Sequence, residues 1–483
     1  MASHLRKRWD ANFQGMSRRD RRGCDYDAYL ADPLADWDLS IPADVAADVA
    51  DAEAAVRALN DAGTTHVSLE GLARFLLRAE SVGSSKIEGL EAAARRLARA
   101  EGAIVLGGEA NDRVAAEVIG NIAAMESAVE LATSADPFEL DDLLSVHRTL
   151  MDNSPSPELG GVVREEQNWI GGNSFNPCSA AFVPPPHEYL PDLLADLLGY
   201  VNGDEHSPLV QAAIAHAQFE TLHPFVDGNG RTGRALIHVV LRRRGLAPTF
   251  VPPISLVLAT WSDDYVNGLM TYRHLSEPES TQRSATAVEW LRMFATATSR
   301  ACQDAGTYSD DIGELTATWR SKLGRVRANS SADLLLRVLP GAPIVTVGSA
   351  SKLIGRSKAR TTDAVNALAR AGILQQRNVG RHRYRVFEAT EVLDLFTGLE
   401  RVLASQTGDT TSGPPIRRVP QHPGSAEPTG QTRSHPPIPS SASASASASS
   451  RPDDSPLTLL VGPEQDLGLT ARHGGQGSCP LSL

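Results

Sequence analysis

Apolar residues recur at helical spacing through the larger, N-terminal part of the chain. Two such series lie between Ser207-Pro208, a pair typical of a helix start, and Gly245, a residue type common just after a helix. The first series is Val210, Ile214, Ala217 and Leu222, and the second is Leu236, Ile237, Val240 and Leu241. The pattern predicts two helices joined by a tight turn, with His223 ending the first helix and Gly228-Asn229-Gly230 opening the second.

Further helical patterns precede this pair. They cover residues 45–59, 69–80 and 89–100. Another series, at Val114, Val118, Ile122 and Met125, begins the main helical core. Strand patterns are scarce up to about Gly306. The sequence therefore predicts a mainly α fold for this part of the chain.

After Ser309 the pattern changes to short, mixed elements. Helices are predicted at 334–339, 350–354 and 360–371, with a short strand at 344–347. Residues 373–376 and 384–387 flank Asn378-Val379-Gly380 and predict a β-hairpin. Helices followed by a hairpin resemble a winged helix, so a small α/β domain is expected here.

Basic residues crowd this region and are opposed there by Asp363 alone, although the whole chain carries a formal charge of −12. They are Lys352, Arg356, Lys358, Arg360, Arg370, Arg377, Arg381, Arg383 and Arg385. Local basicity is what DNA contact requires. An appended winged helix also serves in protein docking or dimerisation, and a fold alone does not give function, so both interpretations stay open.

Composition narrows the class of protein. With 483 residues, 41% hydrophobic and 22% charged, the chain has the make-up of a globular protein with two or three domains. No apolar run reaches the roughly 18–20 residues of a membrane span, and no apolar stretch follows the basic N-terminus. Neither a membrane segment nor a secretion signal is predicted, and the expected location is the cytoplasm.

The cysteines, Cys24, Cys178, Cys302 and Cys479, are widely spaced along the chain. Their spacing matches neither a metal-ligand pattern nor the density of a disulfide scaffold. Free thiols and no zinc site are therefore expected.

The two ends of the chain differ in composition from its middle. Residues 1–40 are polar and basic, which indicates an arm whose charges form a solvated face. From residue 404 onward Pro, Ser, Gly and Thr dominate, and 440–450 is a Ser/Ala repeat. Such a segment buries too little apolar area to offset its ordering entropy, so 404–483 is predicted to be a disordered tail.

The turn between the two predicted helices carries the candidate chemistry. Residues 223–234 read His-Pro-Phe-Val-Asp-Gly-Asn-Gly-Arg-Thr-Gly-Arg. Glycines let a backbone approach closely, and the free N–H groups of a helix N-terminus form an anion site. Arg231 and Arg234 share one helical face and can pair with phosphate oxygens. Asp227 can hold magnesium, and His223 has a pKa suited to a general base.

Each feature by itself has an ordinary structural explanation. A Gly-Asn-Gly turn is often a plain connection, and a histidine at a helix end is often a cap. A structural turn does not need Asp227, Arg231 and Arg234 aimed at one point. Their joint occurrence favours a site for a polyphosphate and a metal ion.

This stretch resembles the signature of the Fic family, His-Pro-Phe-x-Asp-Gly-Asn-Gly-Arg-x-x-Arg, at every fixed position. The resemblance implies a helical core that uses ATP and magnesium to transfer AMP to a Ser, Thr or Tyr hydroxyl of a target protein or of the enzyme itself. It makes His223 the general base and Asp227 the metal ligand. The ATP-binding residues it implies are Gly228, Asn229, Gly230, Arg231, Thr232, Gly233, Arg234 and, with Leu269 near the adenine, Tyr265.

A second part of the family pattern precedes the motif. Residues 169–172 read Trp-Ile-Gly-Gly, and the later stretch 180–186 ends in three prolines, which indicates an extended or hairpin-like segment. In the Fic family this position is a flap that docks the target's backbone as an added strand. The docking residues implied are Ala181, Phe182 and Val183. The alternative, with Trp169 and Phe182 packed in the core, is compatible with that role.

Residues 84–89, Ser-Ser-Lys-Ile-Glu-Gly, have two interpretations. From the residues alone, Ser85 and Glu88 have the spacing of a capping box, which would start the helix predicted to follow.

The same string resembles the inhibitory motif of Fic proteins with an N-terminal inhibitory helix. The resemblance assigns Ser84, Glu88 and Gly89 to the inhibitory segment, in which Glu88 binds Arg234, the arginine that should hold the γ-phosphate. Truncating Glu88 is then expected to activate the enzyme. In this family the inhibitory glutamate can also support removal of AMP from the target.

The resemblance and the composition together predict a domain order. It comprises a basic arm (1–40), a helical region with the inhibitory helix (41–110), the Fic catalytic core (111–308), a winged-helix domain (315–403) and a tail (404–483). Related proteins are frequently dimers, which makes a homodimer a further expectation.

Two rival interpretations stay open. A DNA-binding regulator could use the Fic site as a nucleotide sensor, which only the basic C-terminal region favours. A Fic-type transferase could instead use another nucleotide, a phosphate or a phosphocholine donor. The intact Asp227, Arg231 and Arg234 favour a triphosphate with magnesium and do not identify the base.

Overall fold

The computed structural model describes residues 2–11, 17–35, 37–62, 69–105, 112–134, 136–273, 282–378 and 385–403. Helices dominate these ranges, so the predicted mainly α fold is confirmed. The helices are α1 (Ala43–Ala62), α2 (Leu69–Ile87), α3 (Ala94–Val105), α4 (Arg113–Leu131), α5 (Leu140–Met151), α6 (Leu190–Asn202), α7 (Pro208–Leu222), α8 (Asn229–Arg243), α9 (Ile254–Thr260), α10 (Ser262–Tyr272), α11 (Gln282–Leu323), α12 (Ser331–Val338), α13 (Val347–Leu353), α14 (Lys358–Arg370) and α15 (Thr390–Leu403). The strands are β1 (Ser3–Trp9), β2 (Cys24–Leu30), β3 (Ile344–Val345), β4 (Gln375–Asn378) and β5 (Arg385–Glu388). The predicted tail, 404–483, lies outside the described residues.

Helices α7 and α8 form the centre of the fold. α7 is buried from Leu209 to its end, and α8 from its first residue to Leu241. A helix buried on all sides needs its first N–H groups satisfied by other elements. The Glu53 carboxylate of α1 contributes to this, because its Oε1 accepts a hydrogen bond from Leu209 N at 3.1 Å. The predicted helix–turn–helix is confirmed, and Gly245 follows α8 with a φ of 67°.

The N-terminal arm forms a β-hairpin that the sequence analysis missed. β1 and β2 pair antiparallel, with Ser3 opposite Leu30. Burial alternates along β1, but charged residues fill several of its exposed positions, which made the arm resemble a solvated basic segment. Those charges face acids of the partner strand, as in the 3.1 Å contact between Arg8 Nη1 and Asp25 Oδ1.

Helix α2 ends, rather than begins, at residues 84–89. It runs to Ile87, Gly89 has a φ of 76°, and the next helix starts only at Ala94. The capping-box interpretation was therefore wrong. Ser85 lies in the last turn of a helix, where its Oγ accepts a hydrogen bond from Asn121 Nδ2 at 3.0 Å. A glycine with positive φ is common just past a helix end, so Gly89 indicated the end of a helix and not its start.

The C-terminal elements follow the predicted order. β3, β5 and β4 form a three-stranded sheet in that order, with Val345 and Gln376 on either side of Phe387. α13 and α14 precede the hairpin, and α15 follows it. The paired strands of the predicted hairpin are confirmed, whereas its tip, 379–384, lies outside the described residues.

A disulfide joins Cys24 of β2 to Cys178, with the two Cα atoms 5.7 Å apart. The expectation of free thiols was wrong for this pair, because 154 positions separate the two residues along the chain. Cys302 is free and buried, and Cys479 lies outside the described residues. Over the described ranges, no helix combines the length and apolarity needed to cross a bilayer.

Candidate active site

His223 has an unusual backbone conformation at the end of α7. Its φ of 48° and ψ of 59° lie in the left-handed region, which residues other than glycine rarely adopt. Its N–H donates to Phe219 O at 2.9 Å. Its carbonyl oxygen accepts hydrogen bonds from Arg164 Nε at 2.9 Å and Asn168 Nδ2 at 3.3 Å. These contacts hold a conformation that by itself costs about 1–3 kcal/mol.

The His223 imidazole is fully buried. Burial, reinforced by the charges of Arg164 and Arg273, lowers its pKa to about 3. The ring is therefore neutral near pH 7, the form that accepts a proton. Neither ring nitrogen has a hydrogen-bond partner among the described residues, and Glu220 Oε2 lies 4.0 Å from Nδ1. Both nitrogens are thus shielded from solvent and have no protein partner in the described part of the chain.

The turn between α7 and α8 is held by its own side chains. Gly228 has a φ of 76°, and α8 begins at Asn229. The Asn229 side chain turns back onto Phe225, with Oδ1 accepting from Phe225 N and Nδ2 donating to Phe225 O, both at 2.8 Å. The side chain of Asn229 therefore shapes the loop. What the turn offers a ligand is the backbone N–H groups of the α8 N-terminus, beginning near Gly230.

Thr232 and Gly233 lie in the packed interior of α8. Thr232 is buried, and its N–H donates to Gly228 O at 3.0 Å. A Cβ added at Gly233 would come 2.5 Å from Glu220 Oε1 and 2.8 Å from Phe219 Cδ1. Gly233 therefore lets α7 and α8 pack closely, which brings the Glu220 carboxyl group to the site.

Arg231, Asp227 and Glu117 of α4 form a charged group beside the turn. Arg231 is buried, with Nη1 3.7 Å from Glu117 Oε2 and Nη2 3.7 Å from Asp227 Oδ1. Both distances exceed a hydrogen bond, and Nε and Nη1 of Arg231 have no hydrogen-bond partner within the described ranges. A buried guanidinium with unused donors is costly unless a ligand supplies acceptors, as phosphate oxygens do.

Asp227 presents a partly exposed carboxylate at the turn. Its side chain is 41% exposed, and its Oδ1 accepts a hydrogen bond from Gly228 N at 2.6 Å. His147 Nε2 lies 3.0 Å from the Asp227 carbonyl oxygen, and His147 Nδ1 accepts from Gly161 N at 2.9 Å. Burial lowers the pKa of His147 to about 4, so the neutral ring donates from Nε2 to Asp227.

The donor set beside the turn suits one kind of metal. No group of three or more His, Cys, Asp or Glu side chains placed to hold a metal ion occurs in the described part of the chain. Mg²⁺ is commonly held by one or two carboxylates plus water and substrate phosphates. An exposed Asp227 beside an anion site therefore fits Mg²⁺ arriving with a phosphate ligand.

Glu88 forms an ion pair with Arg234. Glu88 Oε1 lies 2.7 Å from Arg234 Nη2, and the two side chains are 15% and 1% exposed. Ser84 binds the same guanidinium twice, through its Oγ to Nε at 2.9 Å and its carbonyl oxygen to Nη2 at 2.8 Å. The Glu88 carboxylate also lies against Gly230, where an added Cβ would collide with it. A carboxylate therefore lies over the N-terminus of α8.

The two arginines of the motif have different partners in this conformation. Arg231 faces Asp227 and Glu117, whereas Arg234 faces Ser84 and Glu88. The expected convergence of both guanidinium groups on one point is therefore interrupted by the end of α2.

A pocket adjoins the Glu88–Arg234 pair. Tyr265 and Leu269 of α10 line it, together with Glu220 and Arg273. The Tyr265 hydroxyl lies 2.9 Å from His216 Nε2. Apolar walls with a few convergent polar groups are typical of a small-molecule site.

The segment 169–186 is hairpin-like, one of the two predicted forms, with a 3-10 turn at Pro177–Ser179 between its paired ends. Ile170 and Phe182 pair antiparallel, with Ile170 N donating to Phe182 O at 2.8 Å. Trp169 and Phe182 are both buried, as the core interpretation expected. Ala181 and Phe182 line the pocket, so the segment also forms one wall of the site.

Val183 faces the N-terminal hairpin instead of the pocket. Its carbonyl oxygen accepts a hydrogen bond from Tyr29 N of β2 at 2.9 Å. Trp9 and Trp169 add an edge-to-face contact with ring centroids 5.2 Å apart. The hairpin therefore lies along one edge of the segment.

The sequence analysis did not assign roles to several groups that contact the site. Burial, with a contribution from Glu88, raises the pKa of Glu220 to about 7. The Arg273 guanidinium lies 3.8 Å from the centre of the Phe182 ring. Glu220 had a signal, since it is the only carboxylate in α7 and lies three positions before His223. Arg164, His147 and Arg273 come from distant parts of the chain, and no sequence pattern indicated that they contact the site.

Comparisons with known proteins match two parts of this chain to family models. The model of the Fic/DOC family matches residues 137–241, and that of the Fic/DOC family N-terminal region matches residues 46–130. Protein adenylyltransferase fic-1 of Caenorhabditis elegans is 33% identical over 141 residues, which are 28% of this chain and 26% of that protein. Protein adenylyltransferase Fic of Culex quinquefasciatus is 33% identical over 139 residues, with the same shares covered.

The chain thus spans about a quarter of the length of these curated relatives, 26% in each case. Among solved structures, a Fic family protein from Desulfovibrio desulfuricans is similar with a TM-score of 0.43 and 21% identity, over 72% of this chain and 97% of that one. The two family matches adjoin each other and include the whole of α7, the turn and most of α8. Residues 46–130 and 137–241 of this chain are therefore similar to the Fic/DOC family.

Proposed function

We propose that this protein transfers AMP from ATP to a Ser, Thr or Tyr hydroxyl of a protein. The observation that carries the proposal is the buried, neutral His223, whose ring nitrogens have no hydrogen-bond partner among the described residues, six positions before Asn229, the first residue of α8. A base and an anion site this close together suit phosphoryl chemistry. The relatives named protein adenylyltransferase over the same region support it.

In the proposed reaction, the hydroxyl oxygen of the target attacks the α-phosphorus of ATP. A new O–P bond forms, the bond from that phosphorus to the oxygen leading to the β-phosphate breaks, and pyrophosphate leaves. His223 takes the hydroxyl proton on a ring nitrogen. The N–H groups at Gly230 and the unused donors of Arg231 would bind the phosphate oxygens as negative charge develops.

Asp227 is the residue that would hold Mg²⁺. When bound, the ion would supply positive charge to the phosphate oxygens. His147 supports this role, because its Nε2 binds the Asp227 backbone and so holds the carboxylate beside the turn.

The pocket lined by Tyr265 and Leu269 is the proposed site of the adenine ring. Its largely apolar walls suit a flat heterocycle, and it lies beside Arg234. The segment around Ala181, Phe182 and Val183 would dock the target's backbone next to it. Strand addition of that kind uses main-chain hydrogen bonds. At Val183 it would require Tyr29 N to release the carbonyl oxygen that it binds at 2.9 Å.

We further propose that the described conformation is autoinhibited. Glu88, Ser84 and the α2 end that Gly89 closes occupy the guanidinium of Arg234, which would otherwise bind the γ-phosphate. Because the pair is largely buried, its attraction is screened less than that of a surface pair. Glu88 would also serve the reverse reaction, in which water removes AMP from the modified protein.

The test compares wild type, Glu88→Gly and Glu88→Gly/His223→Ala with α-labelled ATP and Mg²⁺, following label on added proteins and on the enzyme itself. Labelling that rises in the single variant and disappears in the double supports both transfer and autoinhibition. A silent Glu88→Gly variant that binds ATP normally, tested with a broad protein mixture, would reject AMP transfer. Incubating purified labelled protein with wild type and with Glu88→Gly then measures AMP removal.

We propose a second function, DNA contact, for the C-terminal elements that resemble a winged helix. Lys352, Lys358, Arg360 and Arg370 are exposed and have no carboxylate partner among the described residues. Two of them lie in the first turn of α14, whose N-terminus adds positive dipole charge. Lys352 lies on α13 and the other three on α14, and exposed basic side chains without ion-pair partners suit phosphate contact.

Fluorescence anisotropy with a labelled DNA duplex at several salt concentrations tests this contact. Lys358→Glu/Arg360→Glu should weaken binding and flatten its salt dependence. Arg377→Ala is the matched control, because Arg377 already pairs with Glu388 at 3.0 Å. Binding that is absent at low salt, or unchanged in the double variant, would leave the region as a protein-docking element.

A further inference from the structure

Arg164 is a buried cation whose side-chain partners are all backbone carbonyls. It is 3% exposed. Its Nε donates to His223 O at 2.9 Å, its Nη1 to Glu166 O at 2.9 Å and its Nη2 to Pro185 O at 2.5 Å. Its own backbone N–H donates to Pro224 O at 2.9 Å. One residue thus ties the segment around His223 to the end of the 169–186 segment.

Burying the Arg164 cation costs free energy that a purely structural contact would not require. Burial lowers the pKa of Arg164 to about 9, which reflects the cost of keeping the cation away from water. No carboxylate lies within ion-pair distance of it among the described residues. A neutral amide already binds the same loop, because Asn168 Nδ2 donates to His223 O and Phe225 O. What the guanidinium adds is a positive charge and a three-way link.

We propose that Arg164 is the positioning residue for His223, holding its left-handed backbone against the 169–186 segment and keeping the imidazole in its neutral form. This inference rests on the proposed role of His223 as the base. The planar fork fits three carbonyls at once, which an ammonium group cannot do with the same geometry. Its charge lies beside the imidazole, where a second positive charge is unfavourable.

Other charges near His223 must be considered in any titration. Glu220 lies on the same helix, 4.0 Å from Nδ1, and Arg273 comes from the end of α10. Asp227 and Arg231 lie on the turn and the first turn of α8. Arg164 and Arg273 both disfavour the imidazolium form, so removing Arg164 leaves one cation and the Glu220 carboxyl group. The pKa of His223 should then rise.

The experiment uses the full chain with Glu88→Gly, to which Arg164→Met, Arg164→Lys or Asn168→Ala is added. Arg164→Met should lower kcat roughly tenfold or more while the KM for ATP changes little, since the base is displaced and the ATP site is not. The acid limb of its kcat–pH profile should move to higher pH. Arg164→Lys keeps the charge, so its kcat should fall without movement of that limb.

Asn168→Ala is the matched control, because it removes neutral hydrogen bonds to the same carbonyls. Its kcat should fall without a shift of the acid limb. An Arg164→Met protein that folds and keeps both the kcat and the acid limb of its parent would overturn the proposal. If Arg164→Met fails to fold, an Arg164→Lys variant with unchanged kcat overturns it instead.

Titration of the His223 imidazole by nitrogen-15 NMR gives a readout that needs no activity. The signal is assigned by its loss in His223→Ala. The pKa of His223 should be higher in Arg164→Met than in Arg164→Lys, and equal values would contradict the electrostatic role. If Glu88→Gly transfers no AMP, the proposed function fails on its own, while the titration still decides whether Arg164 controls the imidazole.

Discussion

Glu88 Oε1 lies 2.7 Å from Arg234 Nη2, and the same carboxylate lies against Gly230 at the N-terminus of α8. A single acid thus occupies an arginine of the motif and the space above the turn. It is placed there by the end of α2, where Ser84 holds the same guanidinium through its hydroxyl and carbonyl oxygens. Any process that moves the end of α2 should therefore change the availability of Arg234.

Replacing Glu88 by glycine should raise ATP-dependent protein labelling by roughly 10- to 100-fold, since a hydrogen bond to a charged group contributes about 1.5–3 kcal/mol. Glu88→Gln is the matched variant, because it keeps the size and an acceptor oxygen but loses the charge. Its labelling should lie between wild type and Glu88→Gly. Equal labelling of all three proteins would reduce Glu88 to a structural contact.

Asn121 of α4 is hydrogen-bonded to the C-terminal part of α2. Its Nδ2 donates to Ser81 O at 2.8 Å and to Ser85 Oγ at 3.0 Å. Asn121→Ala should loosen this end, lower the free energy of unfolding by about 1–3 kcal/mol and partly activate labelling. The activation should vanish when Glu88→Gly is already present, because Arg234 is then free in both proteins. Equal activation in the two backgrounds would show that Asn121 acts elsewhere.

The disulfide between Cys24 and Cys178 closes a loop of 154 positions along the chain. Reduction should lower the free energy of unfolding by about 2–4 kcal/mol, since the cross-link restricts the unfolded chain. Chemical denaturation with and without a dithiol reductant measures the change. Cys24→Ser/Cys178→Ser is the control, and its denaturation midpoint should be the same with and without the reductant. A wild-type denaturation midpoint that does not change when the reductant is added would argue against this disulfide.

His216 predicts a pH dependence of stability. Burial lowers its pKa to about 3, whereas the unfolded value is near 6.5. Between these values the unfolded chain binds the proton and the folded protein does not, so stability from this group falls as pH is lowered. The slope is at most about 1.4 kcal/mol per pH unit. Denaturation of wild type and His216→Gln from pH 4 to pH 7 should show a shallower slope in the variant.

Glu220 predicts a pH dependence of stability opposite to that of His216. Its pKa is raised to about 7 by burial, so between about 4.5 and 7 the folded protein binds a proton that the unfolded chain has lost. The contribution of Glu220 to the free energy of unfolding therefore decreases as pH rises through this window. Glu220→Gln should gain stability relative to wild type on going from pH 5 to pH 7. A difference that stays constant across this range would show that the carboxyl group is not protonated in the folded protein.

Local patterns were sufficient for the two central helices and for the main motif. The spacing of Val210, Ile214 and Leu222 predicted α7, and the twelve residues from His223 predicted the turn and the start of α8. These features depend on interactions within a few positions of each other: helix periodicity, a glycine at positive φ and a helix N-terminus. Such information is contained in a short stretch of sequence.

Long-range contacts decided the rest. The pairing of Cys24 with Cys178, the hydrogen bond from Arg164 to His223 and the stacking of Arg273 on Phe182 join residues far apart along the chain. The same holds for the β1–β2 hairpin against Val183. Burial, too, exists only in the folded state, and it sets the pKa values of His223 and Glu220. The sequence by itself determined the motif residues of the site and the helices that carry them. Only the tertiary structure decided which of them touch, and which are charged, because desolvation and contact depend on packing between distant segments.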